Sequence, residues 1–148
     1  MTNEEPRLLD GCKRRSKVDI QSTKRSRVLT ITPGGGRSYQ MAGALAIYLA
    51  DGEETSDSYS ISEWWLDARQ SGPAPHSHDV NDDIFYVLDG TMTFYIQGQT
   101  IEAPKGAFIR IPAGVVHGIG NNSDSRAGVL NIFIPGGFEK EMRHHGPL

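Results

Sequence analysis

From residue 28 onward the chain is a succession of short, apolar, β-branched runs separated by turn residues, with no intervening helical stretches. Residues 28–32 run into Pro33-Gly34-Gly35-Gly36, and residues 45–50 end at Asp51-Gly52. Residues 59–66 mix β-formers with Trp64 and Trp65 and are broken by the stretch 68–75. Runs at 84–88 and 91–97 flank Asp89-Gly90, a pair that supplies the positive φ of a tight hairpin turn. Runs at 100–103, 107–111, 116–119 and 128–134 complete the series, and only 138–145 reads as a short helix. Many short strands at regular spacing predict an all-β sandwich or barrel. A chain of 148 residues is long enough for one domain with a real core and too short for two ordinary ones.

Charge divides the chain. Residues 1–27 carry +4 and residues 28–148 carry −7, within a formal net charge of −3. The expected organisation is therefore a basic, partly ordered arm over 1–27 and one barrel domain over 28–148. Lys13, Arg14, Arg15, Lys17, Lys24, Arg25 and Arg27 have no aromatic residues among them to stack on bases, and the barrel behind them is acidic. No nucleic-acid partner is expected. The single cysteine, Cys12, excludes an internal disulfide framework. No apolar run approaches a membrane span, and residues 1–9 carry Glu4 and Glu5 rather than an apolar leader. The expectation is a cytoplasmic protein without a membrane partner.

Three of the five histidines sit in segments rich in Gly and Pro. His76 and His78 lie in Pro75-His76-Ser77-His78, and on extended chain two residues apart they point the same way, roughly 7 Å apart at Cα. That suits two nitrogens converging on one ion. His117 follows Pro112-Ala113-Gly114-Val115-Val116, a turn that could return a third imidazole to the other two. A buried cluster of imidazoles without an ion leaves polar nitrogens short of partners, and a bound ion removes that cost. His144-His145 lies in a polar tail and reads as solvent-exposed.

These segments resemble the two motifs of the cupin superfamily. The second motif reads Gly, five residues, Pro, one, Gly, two, His, three, Asn, and Gly106, Pro112, Gly114, His117 and Asn121 fill every fixed position. The first reads Gly, five residues, His-x-His, three or four, Glu, six, Gly. His76, His78 and Gly90 fit it, while Gln70 replaces the opening Gly and Asp83 stands where Glu is expected. Fifteen residues separate Gly90 from Gly106, as in small microbial members, and the resemblance covers roughly residues 40–140. Asn121 is thus the closing residue of the second motif rather than a glycosylation acceptor.

The resemblance implies a double-stranded β-helix, a jelly-roll barrel, with one divalent metal held by His76, His78, Asp83 and His117. Asp is one bond shorter than Glu, so Asp83 could bind the ion directly, through a water, or by orienting His76 or His78. Asp82 fits the spacing less well. Three imidazoles and a carboxylate suit Fe, Mn, Ni, Cu or Zn without choosing among them. Alternation puts Asp83, Phe85 and Val87 on one face of their strand, and Phe85, Val87, Tyr95 and Phe133 are expected to line the pocket. Trp64 and Trp65 point opposite ways, so at most one enters it. The resemblance favours a quercetin-dioxygenase-like oxidoreductase acting on a small organic molecule. Two alternatives stand beside it. One is a Lewis-acid lyase or isomerase, with Tyr48, Tyr95 or Asp82 moving the proton; the other is a non-catalytic ligand-binding barrel. It also implies a homodimer, paired through sheet faces or by exchange of a strand from residues 20–32.

Overall fold

The strands bury alternate side chains, and two sheets close those faces on one another. The computed structural model describes residues 27–41 and 43–142. Nearly all of the basic arm, and His144 and His145, lie outside the described residues. The strands are β1 (Arg37–Met41), β2 (Ala44–Ala50), β3 (Ser60–Leu66), β4 (Gln70–Ser71) and β5 (Asp82–Asp89), followed by β6 (Thr91–Ile96), β7 (Gln99–Pro104), β8 (Phe108–Ile111), β9 (His117–Asn121) and β10 (Ala127–Ile134). Two short helices, α1 (Gly52–Thr55) and α2 (Glu139–Met142), lie after β2 and β10. One antiparallel sheet has six strands in the order β1-β2-β3-β10-β5-β8, and the other has four in the order β4-β9-β6-β7. This is an all-β jelly roll.

Strict alternation on β2 and β3 buries Tyr48, Trp64 and Leu66 between the sheets. From the other sheet Met92 and Phe94 meet them, and the Phe94 ring stands 5.2 Å from Phe85 in an edge-to-face pair. Removing such side chains from water contributes about 1.5–3 kcal/mol each. The outer face of the six-stranded sheet stays partly apolar. Leu130, Tyr86 and Phe108 stand in one cross-strand row there, and the last two are exposed.

Two expectations meet a different structure. Residues 28–32 do not form a strand, and Val28 is 95% exposed. The edge of the sheet belongs instead to β1, whose mixed Arg-Ser-Tyr-Gln-Met sequence conceals its period. Asp51-Gly52, read as a turn, opens α1. Asp51 accepts from the Glu53 amide at 2.9 Å while Glu54 accepts from the Asp51 amide at 3.0 Å, a capping box. Arg37 then clamps both carboxylates, at 2.7 Å from Asp51 and 2.9 Å from Glu54. The C-terminal helix expected over 138–145 is present as α2, and residues beyond 142 lie outside the described ones.

The motif asparagine is structural. Asn121 is fully buried, and its Nδ2 donates to the carbonyls of Leu66, Asp67 and Ser125 at 3.2, 3.0 and 2.7 Å. Its Oδ1 accepts from the Ser123 amide at 2.9 Å and the Ser123 hydroxyl at 2.6 Å. One amide therefore ties the end of β3 to the β9–β10 turn. Asn121→Ala leaves these groups without partners, and urea unfolding should show a loss of about 2–4 kcal/mol with an unchanged slope.

Acid should expose the Arg37 clamp. Hydrogen bonds from Arg37 hold the Glu54 carboxyl at about 2, below its ordinary 4.5. A depressed carboxyl adds stability that is complete above about pH 4.5 and is lost as pH falls through about 2. Arg37→Gln should therefore trail the wild type in Tm near neutrality and converge on it as the pH approaches that value.

Candidate metal centre

The local chain brings three imidazoles together by exchanging backbone hydrogen bonds. His76 and His117 donate amide to carbonyl reciprocally, both at 2.8 Å, which makes the two a closed antiparallel bridge. The Gly114 amide reaches the His78 carbonyl at 2.7 Å, so the turn before β9 is stitched to the His-x-His segment. Gly114 has φ of +81°, a conformation that a side chain would strain, and this turn delivers His117 onto β9. The ring centroids stand 4.8 Å apart for His76–His78 and His76–His117, and 5.5 Å apart for His78–His117.

Asp83 joins them from β5. Its alternation places Asp83, Phe85 and Val87 inward and Tyr86 outward. One potential ligand atom from each of His76, His78, Asp83 and His117 falls within 4.8 Å of all the others. Two ligands on opposite sides of an ion at 2.1 Å stand about 4.2 Å apart, so a small contraction would let all four reach one ion.

The protons decide what the cluster wants. His117 Nδ1 lies 2.8 Å from the Val115 carbonyl and His76 Nδ1 lies 2.8 Å from the Ala74 carbonyl. A carbonyl only accepts, so both Nδ1 atoms carry hydrogens and both neutral rings present bare Nε2 lone pairs. His117 Nε2 nevertheless sits 2.9 Å from Asp83 Oδ2, and His78 Nε2 sits 3.2 Å from the same oxygen. The His117 lone pair facing a carboxylate oxygen repels it unless a cation, proton or metal, stands between them, whereas the His78 ring is free to donate from Nε2. Asn131 Nδ2 donates to the other oxygen, Oδ1, at 2.9 Å and so fixes the carboxylate plane. The residues fit a divalent ion.

The cluster lies in the wall of a small cavity that is open to solvent. Trp64, Pro73, Phe85, Ile119, Phe133 and Phe138 supply its apolar surface, and among the described residues Asn131 is the lining amide or hydroxyl side chain beyond the four clustered residues. Of the expected pocket residues, Phe85 and Phe133 line the cavity, whereas Val87 is buried in the core behind it. Tyr95 is not in the pocket. Its strand turns Phe94 inward instead, and the Tyr95 hydroxyl donates to Asn122 Oδ1 at 3.1 Å on the exposed side. Trp64 is the tryptophan that enters, while Trp65 lies outside under the Arg126 guanidinium.

None of the three suggested proton carriers reaches the cavity. Asp82 points outward and is paired with Arg110 at 2.6 Å and with the Ala113 amide at 3.1 Å. Tyr48 is buried in the core with its hydroxyl unpartnered among the described residues, and burial pushes the phenol well above its ordinary range. Asn131 and Phe138 were not singled out from the sequence as pocket residues, and Trp64 was named there only as one of two tryptophans of which at most one could enter. Asn131 left a signal, since it is the polar member of the inward set Val129, Asn131 and Phe133 on β10.

Set against known proteins, the chain matches at the same residues. The sequence profile of the cupin domain matches residues 64–133, which span both histidine segments. This chain carries a cupin domain over those residues. Quercetin 2,3-dioxygenase of Bacillus subtilis is 34% identical to this cupin over 71 residues, which are 48% of this chain and 21% of that enzyme. The chain thus spans about a fifth of the length of that relative. A cupin protein from Bacteroides fragilis has 29% identity with a TM-score of 0.55, over 68% of this chain and 86% of its own. The polyketide cyclase RemF from Streptomyces resistomycificus has 23% identity and a TM-score of 0.64, over 73% of this chain and 80% of its own. A sugar phosphate isomerase from Silicibacter pomeroyi has 15% identity and a TM-score of 0.60, over 71% of this chain and 74% of its own. These two share the fold. No helix among the described residues is long and apolar enough to cross a membrane.

Without metal the two inner histidines should titrate apart. Burial alone would lower His117, but its bonds to Asp83 and Val115 outweigh that and hold it above the ordinary 6.5. Burial lowers His78 below 6.5 despite the nearby Asp83 charge. His117 therefore stabilises the fold below pH 6.5, an effect lost as pH rises through its raised value. The contribution of His78 is present above pH 6.5 and lost as pH falls through its lowered value. Imidazole NMR of the metal-free protein should give midpoints in that order, and coincident midpoints would contradict the geometry.

Proposed function

We propose that this cupin is a metal-dependent oxidoreductase of the dioxygenase kind, acting on a small organic substrate at the cavity beside His76, His78, Asp83 and His117. The observation that carries the reading is the bare Nε2 edge of His117, held 2.9 Å from Asp83 Oδ2 while Nδ1–H is committed to a carbonyl. When bound, a divalent ion supplies Lewis acidity that favours the deprotonated form of an enol or catechol and, where redox-active, electrons for reaction with O₂. The chain supplies the rest. The carbonyls of Ala74 and Val115 fix the imidazole tautomers, and Asn131 holds the Asp83 carboxylate in its plane. With Asp83 Oδ2 turned toward the imidazoles and Oδ1 occupied by Asn131, the aspartate is read as a direct ligand.

The aromatic wall offers faces for a ring to pack on. No Lys or Arg lines the cavity among the described residues. A substrate with a phosphate or two carboxylates would therefore meet no cationic side chain there, which disfavours the substrate class of the sugar phosphate isomerase. No tyrosine and no further carboxylate lines it either, so an isomerase or lyase would lack a separate group to move the proton. Oxidation of a chelating, largely apolar molecule needs neither.

Metal analysis after anaerobic purification, followed by O₂ uptake across a panel of enols and catechols that includes quercetin, tests the reading. About one ion per chain and substrate-dependent O₂ uptake are expected; turnover without O₂ consumption would replace it with the lyase or isomerase alternative. His76→Ala and His117→Ala should each reduce bound metal to under a tenth of an ion per chain with the far-UV CD unchanged. Asn131→Ala should weaken ion affinity by roughly 10–100-fold, as measured by competition with a chromophoric chelator. Metal content near one per chain in both histidine variants would refute the ligand assignment.

A further inference from the structure

One wall of the cavity comes from outside the barrel. Phe138 follows β10, and its ring centroid stands 5.5 Å from Phe133, 5.8 Å from His78 and 6.4 Å from Trp64. The segment that carries it is tied down by polar bonds to a distant loop. Glu139 Oε1 accepts from the Gly52 amide at 2.7 Å, across 87 residues of chain, and Oε2 accepts from the Gly137 amide at 3.1 Å. The Gly136 amide donates to the Asp57 carbonyl at 3.0 Å, and Lys140 Nζ pairs with Asp57 Oδ1 at 3.0 Å.

Glu139 is the unusual member. It is 1% exposed, and the nearby lysine is engaged with Asp57. A carboxylate is buried in this way only when its oxygens are bonded, and here backbone amides of α1 and of its own segment do so. The α1 turn is itself made rigid by its capping box and by Arg37. Gly52 leaves the space that the carboxylate occupies: a Cβ there would collide with Asp57 and stand 2.9 Å from Glu139 Oε1. The chain thus maintains a costly buried anion whose bonds set the position of the residue beside it.

We propose that Phe138 is a specificity-determining residue of the cavity, that Glu139 is the residue positioning it, and that together they select ligands presenting a flat aromatic ring beside the histidine cluster. The inference rests on the reading of this cavity as the ligand site. Phe138, Phe133 and Trp64 surround the space next to His78 with ring faces and edges, and among the described residues no Lys or Arg lines the cavity to favour a charged, non-aromatic ligand. Glu139 and Gly52 touch none of this directly, and their effect passes through Phe138.

Two probes separate ring selection from ion binding. Azide binds an ion without a ring, and 4-nitrocatechol binds it with one; both are followed by absorption on Co(II)-loaded protein. Phe138→Ala, Glu139→Gln and Gly52→Ala should each weaken 4-nitrocatechol by about tenfold and leave azide within twofold, while Phe138→Tyr should stay near wild type. Equal loss of both probes, or unchanged 4-nitrocatechol binding, overturns the assignment. In the metal-free protein, Glu139→Gln should speed amide exchange at Gly52 and Gly137 by at least tenfold with β10 unaffected, and unchanged exchange overturns the positioning role. A wild type that takes up no metal refutes the oxidoreductase reading instead, and the exchange measurement still decides whether Glu139 holds the segment.

Discussion

Everything in the centre of this molecule turns on an electrostatic conflict: the His117 lone pair directed at a carboxylate oxygen. His117 reaches Asp83 Oδ2 with the nitrogen that carries no hydrogen in its neutral form, because the Val115 carbonyl claims the other. Two acceptors at 2.9 Å are tolerable only if positive charge stands with them. In the metal-free protein the same contact favours a proton on His117 and pushes its titration upward. A divalent ion supplies that charge for all the rings at once. The same contact explains why Asn131 is buried beside Asp83, since the second carboxylate oxygen also needs a donor.

The barrel serves this contact by joining parts of the chain that are far apart in sequence. The closed backbone bridge between His76 and His117 aligns two of the rings before any side chain is considered. Strand β10 lies between β3 and β5, so its inward residues face the same space as Trp64 and Asp83. Asn131 and Phe133 follow from that placement: one holds the carboxylate, and the other packs its ring 4.8 Å from His78. Asn121 performs the corresponding task for the scaffold, anchoring the far end of β9 through five bonds. A motif with His117 and Asn121 four residues apart therefore encodes one short strand whose first residue joins the histidine cluster and whose last is anchored.

Much of this was legible from residue types alone, and the gaps have physical reasons. The β-sheet class followed from turn chemistry, and the inward set Asp83, Phe85 and Val87 followed from a period of two. The edge strand β1 escaped because an edge needs no apolar alternation; its Arg37 is occupied with α1 instead. Residues 28–32 have strand composition, yet composition supplies no partner, and the neighbouring edge belongs to β1. Tyr95 was misplaced because β6 buries Met92, Thr93 and Phe94 in succession, so the period of two breaks there. The role of Glu139 could not be read, since a glutamate in a charged tail looks solvated until its 87-residue bond to Gly52 is seen.

The distribution of charge then narrows what the cavity can accept. Its carboxylate is matched by the imidazoles and whatever cation they hold, and its remaining surface is almost entirely apolar. A ligand that brings two or more negative charges would lose its hydration without gaining a basic side chain in return. A ligand with one ionisable oxygen and a flat apolar body loses little on entry, because the rings of Trp64, Phe133 and Phe138 replace the water around that body. The wall that does this is only partly built from barrel strands. Since Phe138 comes from the segment after β10, the chain can alter what it admits by changing a few residues there while the histidine cluster stays as it is. Under the proposed reading the barrel holds the ion and the appended segment selects the ring, a separation open to any chain built on this fold.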